Sequence, residues 1–308
     1  STDDLGPLTY DFEWTGSTNP QTFGGVPTSS HRYDVPTTYT LIVTVKDGSN
    51  QTSSVSKVLH VGGTTPIQTV GYAVPASQTR FTLRLYQVSG VGQPLKVVFK
   101  SPLDVPLAGD WNGDHVHTTG GYVRATSTFN LRNTNNDGTA DLSFVFGTPG
   151  AGWKPIAGDW NGDGVDTVGL YDPATGTFHL RNSNSAGTDD VTFTFTGASP
   201  TWLPIAGDWD GDGIDTVGLY DPATSTFRLR NHNTTGPADL IFVFGTPGAG
   251  LVPIAGDWDG DGWDSIGVYD PASFLFSLKN LNASGAADYQ FTFGAAGAIP
   301  VTGDWDGF

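Results

Sequence analysis

The stretch Gly207-Asp-Trp-Asp-Gly-Asp-Gly-Ile-Asp-Thr-Val-Gly-Leu-Tyr-Asp-Pro222 decides the fold, because versions of it recur along the chain. Its tryptophan is one of five, Trp111, Trp160, Trp209, Trp258 and Trp305, spaced 49, 49, 49 and 47 residues apart. The second half returns as Thr-Val-Gly-Leu-Tyr-Asp-Pro at 167–173 and as Ser-Ile-Gly-Val-Tyr-Asp-Pro at 265–271. An aromatic run follows, such as Thr177 to Asn182 or Thr226 to Asn231. A last run ends on Phe-Gly, at Phe146-Gly147, Phe244-Gly245 and Phe293-Gly294. The Asp-Pro-Ala-Thr and Asn/Ser/Gly clusters between runs are turn chemistry.

Within the runs, residues alternate with the period of a strand. Phe178 and Leu180 fall on one side of a strand and His179 and Arg181 on the other, as do Phe227 and Leu229 against Arg228 and Arg230. Each repeat thus reads as four short strands, the content of one propeller blade. A β-solenoid would repeat over shorter coils, and Ig-like sandwiches over longer units. The ends of the pattern fit together. Residues 69–76, 81–84 and 97–99 resemble the last three strands of a blade, and Ile299 to Trp305 resembles the missing first strand. The expectation is an all-β chain with a five-bladed β-propeller over residues 69–308. Both termini close its ring, which removes the open sheet edges.

Composition agrees. The 308 residues include 42 Gly, 20 Pro and 18 Phe, which suits short strands joined by tight turns, and there is no Cys to form a disulfide framework. Of the 31 acidic residues only Glu13 is a Glu, and Asp favours turns and metal loops over helices. The net charge of −17 argues against nucleic acid or an anionic membrane as partner. No apolar run approaches the ~18 residues that a membrane span needs, so no membrane insertion is expected.

Residues 1–63 lack the repeat. Thr38 to Lys46 and Ser54 to Val61 alternate as strands about an Asp47-Gly48 turn. Tyr10-Asp-Phe-Glu-Trp14, His31-Arg-Tyr33 and Pro36-Thr-Thr-Tyr-Thr-Leu41 resemble motifs of the PKD family of Ig-like modules. Thr15-Gly16-Ser17 replaces that family's Gly-Asp-Gly. The resemblance implies a small β-sandwich over 1–63, with its first strands missing, and a linker at 64–68. Upstream sequence or a strand donated by another subunit would complete it.

The chemistry lies in three loops, Asp159-Trp-Asn161-Gly-Asp163-Gly-Val165-Asp166, Asp208-Trp-Asp210-Gly-Asp212-Gly-Ile214-Asp215 and Asp257-Trp-Asp259-Gly-Asp261-Gly-Trp263-Asp264. Oxygen side chains at positions 1, 3 and 5 wrap around one point, and Gly at position 6 permits the sharp turn. Two carboxylates ~4 Å apart repel by roughly 4 kcal/mol at an effective dielectric of ~20, so such a loop favours a cation. All-oxygen, multi-carboxylate sites suit Ca2+, whereas zinc would want His or Cys. All fifteen named residues other than the Trp at position 2 and the Gly are candidate ligands, with Val165, Ile214 and Trp263 at position 7. The loop at Asp110, Asn112 and Asp114 has His115 in place of the Gly and His117 in place of the final Asp, and it is expected to bind weakly or not at all. The loop beginning at Asp304 lacks a third carboxylate.

A strand follows each loop and no Glu is available as a bidentate ligand, which excludes an EF-hand. Phe-Gly, the loop and the strand together resemble FG-GAP and VCBS-type repeats of integrin-α-like propellers. That family places a last Asp at position 9; here position 9 is Thr167, Thr216 or Ser265, and the Asp stands at position 8.

Three functions follow from these resemblances. The first is a non-enzymatic, calcium-stabilised adhesion or assembly module, extracellular or on a bacterial surface, as part of a filament or appendage with other protein subunits as partners. The second is a lectin for cell-surface glycans, because Trp153 and Trp202 occupy equivalent repeat positions, although Leu251 replaces them in the next repeat. The third is a glycoside hydrolase, which needs paired carboxylates in the central channel, commonly including a Glu. The only Glu lies outside the repeats. Sequons at Asn50, Asn233 and Asn282 are within chance for so Asn-rich a chain.

Overall fold

A computed structural model of the chain describes residues 9–14, 21–24, 37–46, 52–61, 68–84 and 94–307. The chain divides into two compact units, Ser1–Thr65 and Pro66–Phe308. In the first, Thr9–Trp14, Gln21–Gly24, Thr37–Lys46 and Thr52–Val61 form one antiparallel sheet, in the order second, first, third, fourth. The two alternating runs are its longest strands, paired from Thr37↔Val61 to Lys46↔Thr52. The motif positions 15–17 and 31–33, any strand ahead of residue 8 and linker residues 64–67 lie outside the described residues.

The second unit is a five-bladed β-propeller, and the described residues contain no helix. From the innermost strand outward, blade 1 is Val105–Gly109, Thr118–Val123, Thr128–Leu131 and Leu142–Val145. Blade 2 is Lys154–Gly158, Thr167–Asp172, Thr177–Leu180 and Val191–Thr194. Blade 3 is Leu203–Gly207, Thr216–Asp221, Thr226–Leu229 and Leu240–Val243. Blade 4 is Val252–Gly256, Ser265–Asp270, Leu275–Leu278 and Tyr289–Thr292. Blade 5 joins distant parts of the chain: Ile299–Gly303 pairs with Thr69–Val74, and Thr79–Leu83 and Leu95–Phe99 complete it. Each innermost strand touches the innermost strands on either side, so the cycle is closed.

Both faces of a blade are covered by its neighbours, which explains the aromatic content. Among the described residues five apolar clusters occur, one per blade junction. Trp160 of blade 2 packs with Phe178 and Leu180 of its own blade and with Val217 and Leu219 of blade 3. Trp209 joins Tyr220 and Phe227 to Ile266 and Val268, and Trp258 joins Tyr269 to Val70. Trp305 and Trp111 serve the remaining two junctions. Two outermost strands, those of blades 5 and 2, meet the next blade just past their ends. Lys100 N donates to Gly138 O at 2.7 Å and Thr196 N to Gly236 O at 2.8 Å, so a turn of the next blade caps the outermost strand.

Strict alternation misplaces two arginines. Arg181 and Arg230 follow directly after their strands and are buried, at 7% and 5% exposure, instead of facing solvent. Each guanidinium bonds the turn that follows it: Arg181 donates to Thr188 O and pairs with Asp190 at 3.0 Å, and Arg230 donates to Pro237 O. Arg132 does the same with Thr139 O. The turn carbonyls thereby gain a donor they would otherwise lack.

The Gly in Thr-Val-Gly-Leu-Tyr is required by space. A Cβ on Gly218 would stand 2.6 Å from Leu229 Cδ2 and 3.0 Å from Ile205 Cγ1. Gly218→Ala therefore overpacks the middle of blade 3 and is expected to cost about 1–3 kcal/mol. A thermal melt of this variant should fall by several degrees; an unchanged midpoint would show that the blade yields at no cost.

Candidate metal centres

In blades 1 to 4 the repeat loops connect the innermost strand to the second strand, and in blade 5 the loop beginning at Asp304 follows the innermost strand. Asp at position 1 organises its own loop. Asp208 Oδ1 accepts from Gly211 N at 2.7 Å and Asp212 N at 3.2 Å, and its Oδ2 accepts from Gly213 N at 2.8 Å. Asp257 does the same for Gly260, Asp261 and Gly262. Gly211 and Gly213 hold φ of 72° and 81°, the left-handed region that glycine enters without penalty.

With the loop drawn in, carboxylates converge. The carboxylate oxygens of Asp208, Asp210 and Asp212 lie within 4.8 Å of one another, as do those of Asp257, Asp259 and Asp261. Crowding shows in their acidity. Burial, then the charges of Asp212 and Asp208, raise the Asp210 carboxyl. Burial, then Asp261 and Asp257, raise Asp259. The donor set of both triads is all oxygen and carries three formal negative charges, which fits a hard divalent cation such as Ca2+.

The other two complete loops keep the same shape with an amide in place of the middle acid. Asn161 Nδ2 donates to Asp163 Oδ2 at 2.9 Å, and Asn112 Nδ2 donates to Asp114 Oδ2 at 3.0 Å. An N–H thus bridges where the triads place a third carboxylate. The blade 1 loop retains its fold although position 6 is His115, whose φ is 68°. His115 N still reaches Asp110 Oδ2 at 2.7 Å.

Position-8 residues are placed elsewhere. Asp166, Asp215 and Asp264 stand apart from the triads, and each reaches across to the loop of the preceding blade. Asp166 Oδ2 accepts from Asp110 N at 2.7 Å, Asp215 Oδ2 from Asp159 N at 2.8 Å and Asp264 Oδ2 from Asp208 N at 3.1 Å. The backbone answers in the opposite sense: Asp166 N donates to Asp110 O, Asp215 N to Asp159 O and Asp264 N to Asp208 O, at 2.7–2.8 Å. On the remaining blades, His117 N donates to Asp304 O at 2.6 Å and Gln68 N to Asp257 O at 2.9 Å. Position 7 follows the same course. The side chains of Val165, Ile214 and Trp263 lie over Gly113, Gly162 and Gly211 of the preceding loops.

Sequence reading overlooked a second set at the 49-residue spacing. Asn135, Asn184, Asn233 and Asn282 each donate Nδ2 to the position-8 carbonyl of their own blade, at 2.8 Å. Their equal spacing was the available signal. Two of them, Asn233 and Asn282, are the sequon asparagines, and their amides are engaged in holding the fold. The third sequon, at Asn50, lies outside the described residues. Trp153 stacks on His179 with ring centroids 4.4 Å apart, and the Arg228 guanidinium lies 4.0 Å from the centre of the Trp202 ring.

No protein-family model matches this chain, and neither a curated protein nor a solved structure does.

Two outcomes follow from this geometry. Burial pushes the Asp264 carboxyl up to about 8, with Asp257, Asp208 and Asp166 adding to it and the Asp208 N–H opposing it. A folded-state value above the unfolded one means that the folded chain keeps a proton the unfolded chain has released. Stability is then highest at low pH and drains as pH climbs toward the folded value. In chelator the melting midpoint should fall between pH 5 and 8.5, and Asp264→Asn should flatten that fall; a midpoint rising over this range would contradict the assignment. Second, His115→Gly removes a left-handed non-glycine backbone worth about 1–2 kcal/mol. That variant should melt a few degrees higher, and a lower midpoint would mean that the His115 side chain contributes more than the strain costs.

Proposed function

We propose that this chain is a non-enzymatic structural or adhesion module, outside the cell, whose propeller is stabilised by calcium. The observation that carries the reading is the pair of aspartate triads at 208/210/212 and 257/259/261, on adjacent blades and within 4.8 Å internally. Like charges so close oppose the folded loop, and a divalent cation turns that repulsion into attraction. The Asp159/Asn161/Asp163 loop supplies two carboxylates and an amide oxygen, and is the third site in rank. The Asp110/Asn112/Asp114 loop ranks last because His115 strains it.

Several features support a scaffold over a catalyst or a lectin. The loop carboxylates accept backbone N–H groups, which commits them to shape. One face of each indole is already covered, Trp153 by His179 and Trp202 by Arg228. Resemblance to FG-GAP and VCBS-type repeats and to a PKD-like Ig module points to bacterial surface proteins, with other protein subunits as partners. In that reading those subunits build a filament or appendage.

The test is thermal unfolding with Ca2+ and with chelator. Calcium at a hundredfold excess over Kd stabilises each site by about 2.7 kcal/mol, so the midpoint should drop clearly on chelation. Asp212→Ala should remove more of that calcium-dependent gain than Asp114→Ala. An identical melt in both buffers would sink the calcium reading, and equal effects of the two variants would overturn the ranking of the loops.

A further inference from the structure

Position 8 of each loop does its work on the neighbouring blade: its N–H bonds the first loop Asp at every junction, and at three of them a side-chain carboxylate adds a second bond. Blade 4 supplies Asp264 to the blade 3 loop, blade 3 supplies Asp215 to the blade 2 loop, and blade 2 supplies Asp166 to the blade 1 loop. His117 of blade 1 stands over Gly303 of blade 5, and Gln68 of blade 5 over Gly256 of blade 4. The circle of contacts therefore has no gap, and every clasp points the same way round the ring.

In each case the group that is held is the first loop Asp. Its C=O accepts from the position-8 N–H, and at the three junctions served by Asp166, Asp215 and Asp264 its own N–H is also fixed by the position-8 carboxylate, two bonds that set the backbone from which the ligand side chain projects. Asp208 is also the residue whose carboxylate draws in Gly211, Asp212 and Gly213. A second contact reinforces the first. The Trp263 indole lies against Gly211, so the blade 4 loop covers the blade 3 loop with its position-7 side chain as well.

We propose that Asp166, Asp215 and Asp264 are positioning residues for the metal loop of the preceding blade, so that the calcium loops are coupled in series around the ring. Asp264 lies three residues beyond Asp261. A cation held by Asp257, Asp259 and Asp261 fixes residues 262–264, and with them the clasp on Asp208. Occupancy of the blade 4 loop thus pre-orders the blade 3 loop. Binding at the two sites is cooperative, and by linkage the coupling is the same in both directions. Removing the clasp residue is not symmetric: it directly damages the loop it holds, and touches its own loop only through the coupling.

The coupling rests on the calcium reading above, whereas the clasp itself does not, and one experiment separates them. Hydrogen exchange is followed on the full chain in two peptides, one spanning 208–214 and one spanning 257–263, first in chelator and then across a Ca2+ titration. In chelator, Asp264→Ala should speed exchange in the 208–214 peptide by about fivefold, the loss of one hydrogen bond, and move 257–263 by less than about twofold. Asp264→Asn, whose amide oxygen still accepts from Asp208 N, should restore most of the protection, and it keeps the test open if the alanine variant fails to fold. In the titration, Asp264→Ala should raise the Ca2+ concentration needed to protect 208–214 by tenfold or more. Faster exchange confined to 257–263, or equal change in both peptides, would overturn the clasp. If wild-type peptides gain no protection from Ca2+ the calcium reading and the coupling both fall, while the chelator arm still decides the clasp.

Discussion

The structure depends on the burial of one indole at each blade junction. A four-stranded blade with apolar residues on both faces has no stable existence alone in water, since it would expose aromatic surface on either side. Trp111, Trp160, Trp209, Trp258 and Trp305 sit where the innermost strand ends; the first four pack with the second strand of the next blade, and Trp305 shares its cluster with Leu103 and with Ala108 of blade 1. Five identical unmet demands can be met together only by a closed ring. Closure in turn places the loops that follow the tryptophans side by side, which is why the candidate metal centres form a series instead of isolated turns.

Much of this was legible in the linear sequence because the repeat is nearly undamaged. The spacing of the tryptophans gave the blade length, alternation gave the strands, and the split at 69–99 and 299–305 gave the shared blade. The carboxylates that converge, 208/210/212 and 257/259/261, were equally visible, because their geometry is local to five residues.

Side-chain contacts from one loop to the next were not visible. Asp264 meets Asp208 across 56 residues, one repeat plus seven, and a reading of eight-residue loops assigns it to the nearer carboxylates. The buried arginines escaped for a related reason. A two-residue period describes an isolated strand, whereas Arg181 and Arg230 lie just past the strand end, where the following turn presents carbonyls that need a donor. Asn184 and its equivalents looked like ordinary turn residues, and only the fold shows that they carry the position-8 carbonyl.

The shared blade also sets how the ring would respond to tension. Thr69 pairs with Gly303 and Ala73 with Ile299, so the two chain segments leave the ladder at the same end. Pulling on both segments would peel the pairs one after another, like a zipper, instead of loading all of them in shear. The residues where such a pull would enter are Gln68 and Asp304. Both are anchored to other blades, Gln68 through Asp257 O on blade 4 and Asp304 through His117 N on blade 1. Force arriving at this ladder is thus shared with the blades on either side before the first pair can part.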